Sequence, residues 1–304
     1  MNRDENRGGS RGMNRKERVI QRLQELGADG PKRSLGQNFL ISDQVIEKIL
    51  KVVQSAPAAS LVEVGPGLGA LTDDLIALNQ PLILIELDRR FAEAWRGRGL
   101  PQTTVIEGDA LKLDWRAFGI PENSLFVSNL PYQISSSLVI ERSLEPAGIN
   151  RMILMFQKEV AQRIAAGAAS KEYGLLTVIA QAFWETSTVC EAGPRDFFPS
   201  PNVASRVLHF KKREAQWLNT PGVTRGHFLS FAKAAFSHRR KLLTRNLLGG
   251  FFSGPKDVLP LLEQIFASQG LLATARAEEL DPEAFIRLYL AVTHARSSNE
   301  SKLS

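Results

Sequence analysis

Leu61-Val-Glu-Val-Gly-Pro-Gly-Leu-Gly-Ala70 is an apolar run that breaks into a glycine-rich turn and continues into a helical stretch. Gly65, Gly67 and Gly69 let the backbone turn tightly and approach a ligand with no Cβ in the way. The same alternation then repeats along the chain. Strands are expected at 61–64, 82–86, 104–107, 125–128, 151–156, 185–190 and 204–211, with helices at 70–78, 90–96, 134–144, 160–166 and 175–183. Buried apolar runs separated by helices imply a mostly parallel, doubly wound sheet. The last two strands have no convincing helix between them and are expected to pair antiparallel at one edge. Pro194, Pro199 and Pro201 hold their connection as an irregular loop.

Beyond Lys212 the texture becomes helical only, with helices expected at 225–247, 256–269 and 281–295. Asp281-Pro282 is a strong helix start, a cap followed by proline at the first helical position. The chain therefore divides into a basic extension (1–30), an α/β domain (31–213), a helical domain (214–295) and a polar tail (296–304). In the extension, residues 1–12 read as disordered. Residues 14–26 fit a short amphipathic helix with Val19, Leu23 and Leu26 on one side. That segment reads either as a solvated tail or as an arm on RNA phosphates. A length of 304 residues allows two domains, and a formal charge of +6 suits a polyanionic partner without requiring one. Cys190 is the only cysteine, and the four histidines show no metal-ligand spacing, so no metal is expected. There is no secretory signal and no membrane-length apolar run, so no membrane partner is expected and a reducing cytoplasm is the default.

The ends of successive strands carry groups that could meet one ligand. Glu86 follows the glycine turn by roughly 20 residues, where a carboxylate can accept both hydroxyls of a ribose. Asp109, after Gly108, can accept from an adenine amine. Asn129 ends the fourth strand, as the switch-point rule for such sheets leads one to expect. Gly65-x-Gly67-x-x-Ala70 also satisfies a dinucleotide fingerprint. Glu63 and Asp109, however, have uses in a nucleoside-plus-methionine site and none in that fingerprint, and no hydride-transfer acid is evident. S-adenosylmethionine is the better cofactor on these residues. In Asn129-Leu130-Pro131-Tyr132, the Asn129 side-chain oxygen and the Leu130 carbonyl can accept from an exocyclic amine. Pro131 fixes the backbone, and Tyr132 offers a face for an unstacked base. Two acceptors on that amine favour a pyramidal nitrogen whose lone pair can attack. By itself the tetrapeptide also fits an ordinary strand-to-loop turn with a buried tyrosine.

From Ala215 to Lys256 there is no Asp or Glu, whereas Lys233, Arg239, Arg240, Lys241 and Arg245 lie within it. On one continuous helix Lys233, Arg240, Lys241 and Arg245 share a face, opposite Phe228, Phe231, Ala235, Leu242 and Leu243. A helix so free of counter-charge reads as a phosphate-tracking face, although charge runs are usually plain solvated surface.

From about Lys32 to Leu290 the chain resembles the ribosomal RNA adenine dimethyltransferases, the KsgA-like group that also includes erythromycin-resistance methylases and mitochondrial transcription-factor relatives. Lys32–Leu40, Glu63–Gly69, Ile85–Asp88, Asn129–Tyr132, Gln157–Val160, Tyr173–Leu175, Phe197–Pro201 and Phe236–Lys241 carry the resemblance, in the family's order. It implies a Rossmann-like α/β methyltransferase domain with a smaller all-helical C-terminal domain, acting as a monomer. It implies that Asn38, Leu40, Gly65, Glu86, Asp109 and Asn129 contact S-adenosylmethionine, and that Phe197 is a second aromatic wall beside Tyr132. The implied reaction is N6 dimethylation of two adjacent adenines near the 3′ end of small-subunit rRNA, in an immature 30S particle. A macrolide-resistance methylase of 23S rRNA and a catalytically silent RNA-binding relative are the alternatives. Gln133, Asn202 and Ala204 depart from the family pattern.

Overall fold

The structure is a computed structural model that describes residues 13–27, 30, 38–252 and 258–300. The elements, in chain order, are α1 (Arg15–Glu25), β1 (Phe39–Leu40), α2 (Asp43–Val53), β2 (Leu61–Val64), α3 (Thr72–Ile76), β3 (Leu82–Glu86), α4 (Arg89–Gly97), β4 (Thr103–Glu107) and β5 (Ser124–Asn129). There follow α5 (Tyr132–Leu144), β6 (Ile149–Gln157), α6 (Lys158–Ile164), α7 (Leu175–Phe183), β7 (Trp184–Ala192), β8 (Phe197–Phe198) and β9 (Ser205–Lys212). Last come α8 (Arg225–Ala235), α9 (Leu243–Gly250), α10 (Val258–Ser268) and α11 (Pro282–Glu300).

Seven strands form one sheet in the order β4-β3-β2-β5-β6-β9-β7. Strands β2 through β6 pair parallel with their neighbours, and order reverses beside β2, where a ligand crevice belongs. All residues of β2 and β3 are buried, whereas β4 alternates partly exposed and exposed positions as an edge strand does. The two late strands lie side by side, with β7 outermost. Leu61, Leu84, Val127, Ile153 and Met155 from the sheet pack with Ile46 and Ile49 of α2 in the main core. The expected alternation begins at residue 60 and so omits α2, although Val45, Ile46, Ile49 and Val53 give it a buried helical stripe.

Two compact units emerge, and they interleave in sequence. One comprises 1–138, 147–158 and 188–209; the other comprises 139–146, 159–187 and the residues from 210 on. The sequence reading placed a single boundary near 214. Helix α7 instead belongs with the C-terminal helices, because its apolar face is completed there. Phe183 lies against Trp217 and Phe228, and the Tyr173 hydroxyl donates to the Leu280 carbonyl at 2.6 Å. Phe228 and Phe231 meet Phe285 and Tyr289 of α11 mostly edge to face, the arrangement that ring quadrupoles favour. Each such ring contributes about 2–3 kcal/mol by burial. Asp281 caps α11 by accepting from Ala284 N at 2.7 Å. The helix runs on to Glu300, so residues 296–300, expected as tail, are helical.

The expected helix at 225–247 is two helices. Between α8 and α9 the chain turns, with the Asn246 amide donating to the carbonyls of Ala235 and His238. A buried side chain thus closes the end of α8 where apolar spacing alone would continue it. Residues 1–12, the 32–37 part of the opening motif, the start of the expected 256–269 helix and residues 301–304 lie outside the described residues. Among those described, no helix is long and apolar enough to cross a membrane.

Candidate active site

The turn after β2 takes the shape its glycines allow. Gly65, Gly67 and Gly69 have φ of 66°, 51° and 87°, the left-handed region that side chains avoid. A Cβ on Gly67 would lie 3.2 Å from the Phe39 ring, and one on Gly65 would lie 3.4 Å from Pro131. The glycine turn and the proline turn after β5 therefore pack directly against each other. Ser128 Oγ also donates to the Val64 carbonyl at 2.5 Å, tying the two strand ends together.

Two carboxyl groups stand at this end of the sheet in different states. Glu86 is buried, and its two oxygens accept from Gly67 N at 3.0 Å and Asp88 N at 2.8 Å. Burial raises its pKa, and the backbone donors oppose that rise. Glu63 is 2 % exposed, and its Oε2 has no hydrogen-bond partner among the described residues. Burial, opposed by the Thr72 side chain and aided by the nearby charges of Asp73 and Glu86, pushes its carboxyl up to about 8. Asp109 follows the end of β4; its Oδ1 accepts from Leu111 N at 3.0 Å, and Lys112 lies 3.7 Å from Oδ2.

The proline turn is fixed from distant parts of the chain. Asn129 Nδ2 donates to the Asn38 carbonyl at 3.2 Å. Reversing the amide would set oxygen against oxygen, so Oδ1 is the atom left available as an acceptor. The Tyr132 hydroxyl shares a 2.6 Å hydrogen bond with Ser205 Oγ, on a serine that is fully buried at the start of β9. Burial raises the Tyr132 pKa, against the effect of Ser205.

Asn38, Gly65, Gly67, Glu86, Asp109, Asn129, Leu130, Pro131 and Tyr132 all line one cavity, whose empty volume is about 1130 Å³ with its open mouth included. Leu40 and Phe197 do not line it. They face each other in the antiparallel β1–β8 ribbon and are buried in the main core. Neighbouring residues in a strand point to opposite sides, and it is Phe39 that reaches the cavity. The wall also includes Glu63, Phe39, Phe91, Ala110 and Leu87, which is 59 % exposed. The sequence shows Leu87 only as one more apolar residue after the strand, so its exposure at the cavity carried no local signal. Gln133 lines the cavity as well.

Lys233, Arg239, Arg240, Lys241 and Arg245 are all exposed, but they do not share one helix face. Lys233 is on α8, Arg245 on α9, and the other three occupy the turn between them. Arg239 is tethered there, donating to the Ser170 carbonyl at 3.1 Å with Glu278 at 3.8 Å.

The family model for ribosomal RNA adenine dimethylase matches residues 29–290. The chain belongs to that family. Ribosomal RNA small subunit methyltransferase A of Bdellovibrio bacteriovorus is 54% identical over 270 residues, covering 89% of this chain and 95% of the relative. The protein of that name from Natranaerobius thermophilus is 34% identical, covering 85% and 90%. Among solved structures, a dimethyladenosine transferase from Plasmodium falciparum has a TM-score of 0.68 at 23% identity, over 82% of this chain and 95% of that one. The 23S rRNA methyltransferase ErmE has a TM-score of 0.60 at 25% identity, over 84% and 99%. The dimethylase family thus has here its mostly parallel methyltransferase sheet and an all-helical C-terminal region. The cavity suits a nucleoside joined to an amino acid: glycines leave room for close approach, Glu86 and Asp109 can accept from hydroxyls and an amine, and the buried Glu63 Oε2 is left without a hydrogen-bond partner among the described residues.

Proposed function

We propose that this cavity binds S-adenosylmethionine and that the protein dimethylates N6 of two adjacent adenines near the 3′ end of small-subunit rRNA. The observation that carries the proposal is the Asn129 amide. Its nitrogen is committed to the Asn38 carbonyl in the same cavity that the glycine turn lines. The bound cofactor supplies an electrophilic methyl group on sulfur. Everything else falls to side chains and backbone of this chain. Glu86 holds ribose hydroxyls, Gly65 and Gly67 admit the cofactor against the backbone, and Asp109 accepts from its adenine amine. Asn129 Oδ1 and the Leu130 carbonyl accept from N6 of the target base, while Tyr132 supports the ring of an adenine swung out of its stack. Catalysis rests on alignment, since holding an amine at attack distance removes most of the entropic cost of a bimolecular step.

Lys233, Arg239, Arg240, Lys241 and Arg245 serve as phosphate contacts on the RNA. The enzyme works as a cytoplasmic monomer on an immature 30S particle; the names of the relatives that match over most of their length support the small-subunit rRNA part of this reading. The test is incubation with methyl-labelled S-adenosylmethionine and 30S particles from a dimethylase-deficient strain. The expected label maps to two adjacent 3′-terminal adenines. Label confined to free 23S RNA would assign the resistance-type activity instead, and no label on either RNA would leave a silent RNA-binding protein.

A further inference from the structure

We infer that helix α1 is a brace for the cofactor turn and that Arg22 is a positioning residue for cofactor binding. The inference rests on the cofactor reading above. Helix α1 lies before residue 29, where the family match begins. On sequence it reads as a solvated tail or an RNA arm; in the structure one face of it is packed against the protein. Val19 and Leu23 are buried against Phe39, Leu68 and Phe91, and Asn14 and Glu17 close its N-terminus with a capping box.

The reason lies in the glycine turn. The N–H groups of Gly65, Gly67 and Gly69 donate to Ile85 O, Glu86 Oε2 and Pro66 O, and the partly buried carbonyls of the turn need donors as well. Three of them take side-chain donors from helices. Trp95 Nε1 of α4 donates to Gly67 O at 2.9 Å. Arg22 Nη1 donates to Leu68 O at 2.5 Å, and Arg15 Nη1 donates to Ala70 O at 3.1 Å. The two arginines are aimed by carboxylates: Arg22 pairs with Asp73 at 2.7 Å, and Arg15 pairs with Asp74 at 3.0 Å and with Asp43. Asp73 and Asp74 lie in the first turn of α3, so they also screen the arginines from the positive end of that helix. Gly69 completes the fit. A Cβ there would lie 2.7 Å from Arg22 Nη1 and 2.8 Å from the Trp95 ring. The third glycine thus makes room for the brace, while the first two face the cavity.

Calorimetric titration of S-adenosylmethionine into the full-length wild type, Arg22→Ala, Arg22→Lys, Arg15→Ala and Asp73→Asn tests the inference. Losing a charge-assisted bond to the turn is expected to raise the cofactor Kd about tenfold in Arg22→Ala. Arg15→Ala should show a smaller rise, and Arg22→Lys should recover part of the affinity. Asp73→Asn leaves the Leu68 bond in place and should change Kd by less than about threefold. In the methylation assay the Arg22→Ala loss should appear in KM for the cofactor, with kcat at saturation and rRNA affinity unchanged. A cofactor Kd unchanged in Arg22→Ala would overturn the brace, leaving α1 as a stabilising appendage. Weakened rRNA binding with unchanged cofactor binding would overturn it in favour of an RNA arm. A wild type that binds no S-adenosylmethionine at all would sink the cofactor reading itself. Should Arg22→Ala fail to fold, Arg22→Lys and Arg15→Ala carry the same comparison.

Discussion

The two turns that meet side by side in the cavity wall are shaped by different means. The turn after β2 gets its form from glycines in left-handed conformations and from donors behind it: Arg22, Arg15 and Trp95. The turn after β5 has a proline and three substantial side chains, and its form comes from single bonds to residues far away in sequence, Asn38 and Ser205. The first is a cradle that leaves space. The second is a set of atoms held at fixed bearings. In a methyltransferase these are separate tasks, admitting the cofactor and aligning an amine, and each should fail in its own kinetic parameter.

The largest effect expected is that of Asn129→Ala. Loss of a preorganised polar group at the reacting centre should lower kcat by at least about 10²–10³-fold, while calorimetry shows a much smaller loss of cofactor affinity. Comparable losses in both would erase the distinction between the turns. Glu86→Ala attacks the other side. It removes the acceptor proposed for the ribose and the anchor of Gly67 N, and should weaken cofactor binding by about 100-fold, with kcat at saturating cofactor far less affected. Smaller again is the effect of freeing the Tyr132 ring. Tyr132→Phe and Ser205→Ala should each cost about tenfold in kcat, and the double variant no more than either alone, because one bond is being removed twice. Additive losses would show that Ser205 acts on something else.

The smallest effect concerns Glu63 and stability. In the folded protein its carboxyl keeps its proton up to about pH 8, against an ordinary value of 4.5. Between those values the folded state binds more protons than the unfolded state, so stability declines as pH rises through that window. The thermal midpoint of the ligand-free protein should therefore fall from about pH 5 to about pH 8, and Glu63→Gln should flatten that slope. A midpoint that rises with pH in the wild type, unaltered by the substitution, would remove Glu63 as its source.

Much of this could be read from the chain, and unevenly. The cradle announces itself locally, since glycines, an apolar strand and the next strand's carboxylate lie within 26 residues, from Leu61 to Glu86. The acceptors at 129 and 130 are equally visible. What holds them is not, because the Asn38 carbonyl is a backbone atom 91 positions away and Ser205 is 73 away from Tyr132. Leu40 and Phe197 were assigned by resemblance, which names residues but does not say which side of a two-residue ribbon each faces. The break between α8 and α9 was hidden for a related reason: apolar spacing persists across it, and Asn246 closes the first helix through tertiary bonds. The cations of α1 were plain to see, but not the carbonyls that receive them.

The loop that leads into Ser205 shows how sequence drift can leave an enzyme's workings intact. Asn202 is exposed, and Ala204 is held through its carbonyl, which accepts from Lys158 N at 2.9 Å. That bond asks nothing of the side chain at 204, and the serine beyond it keeps its grip on the tyrosine whatever precedes it. Change at these two positions repaints the outer face of the loop and leaves its mooring untouched.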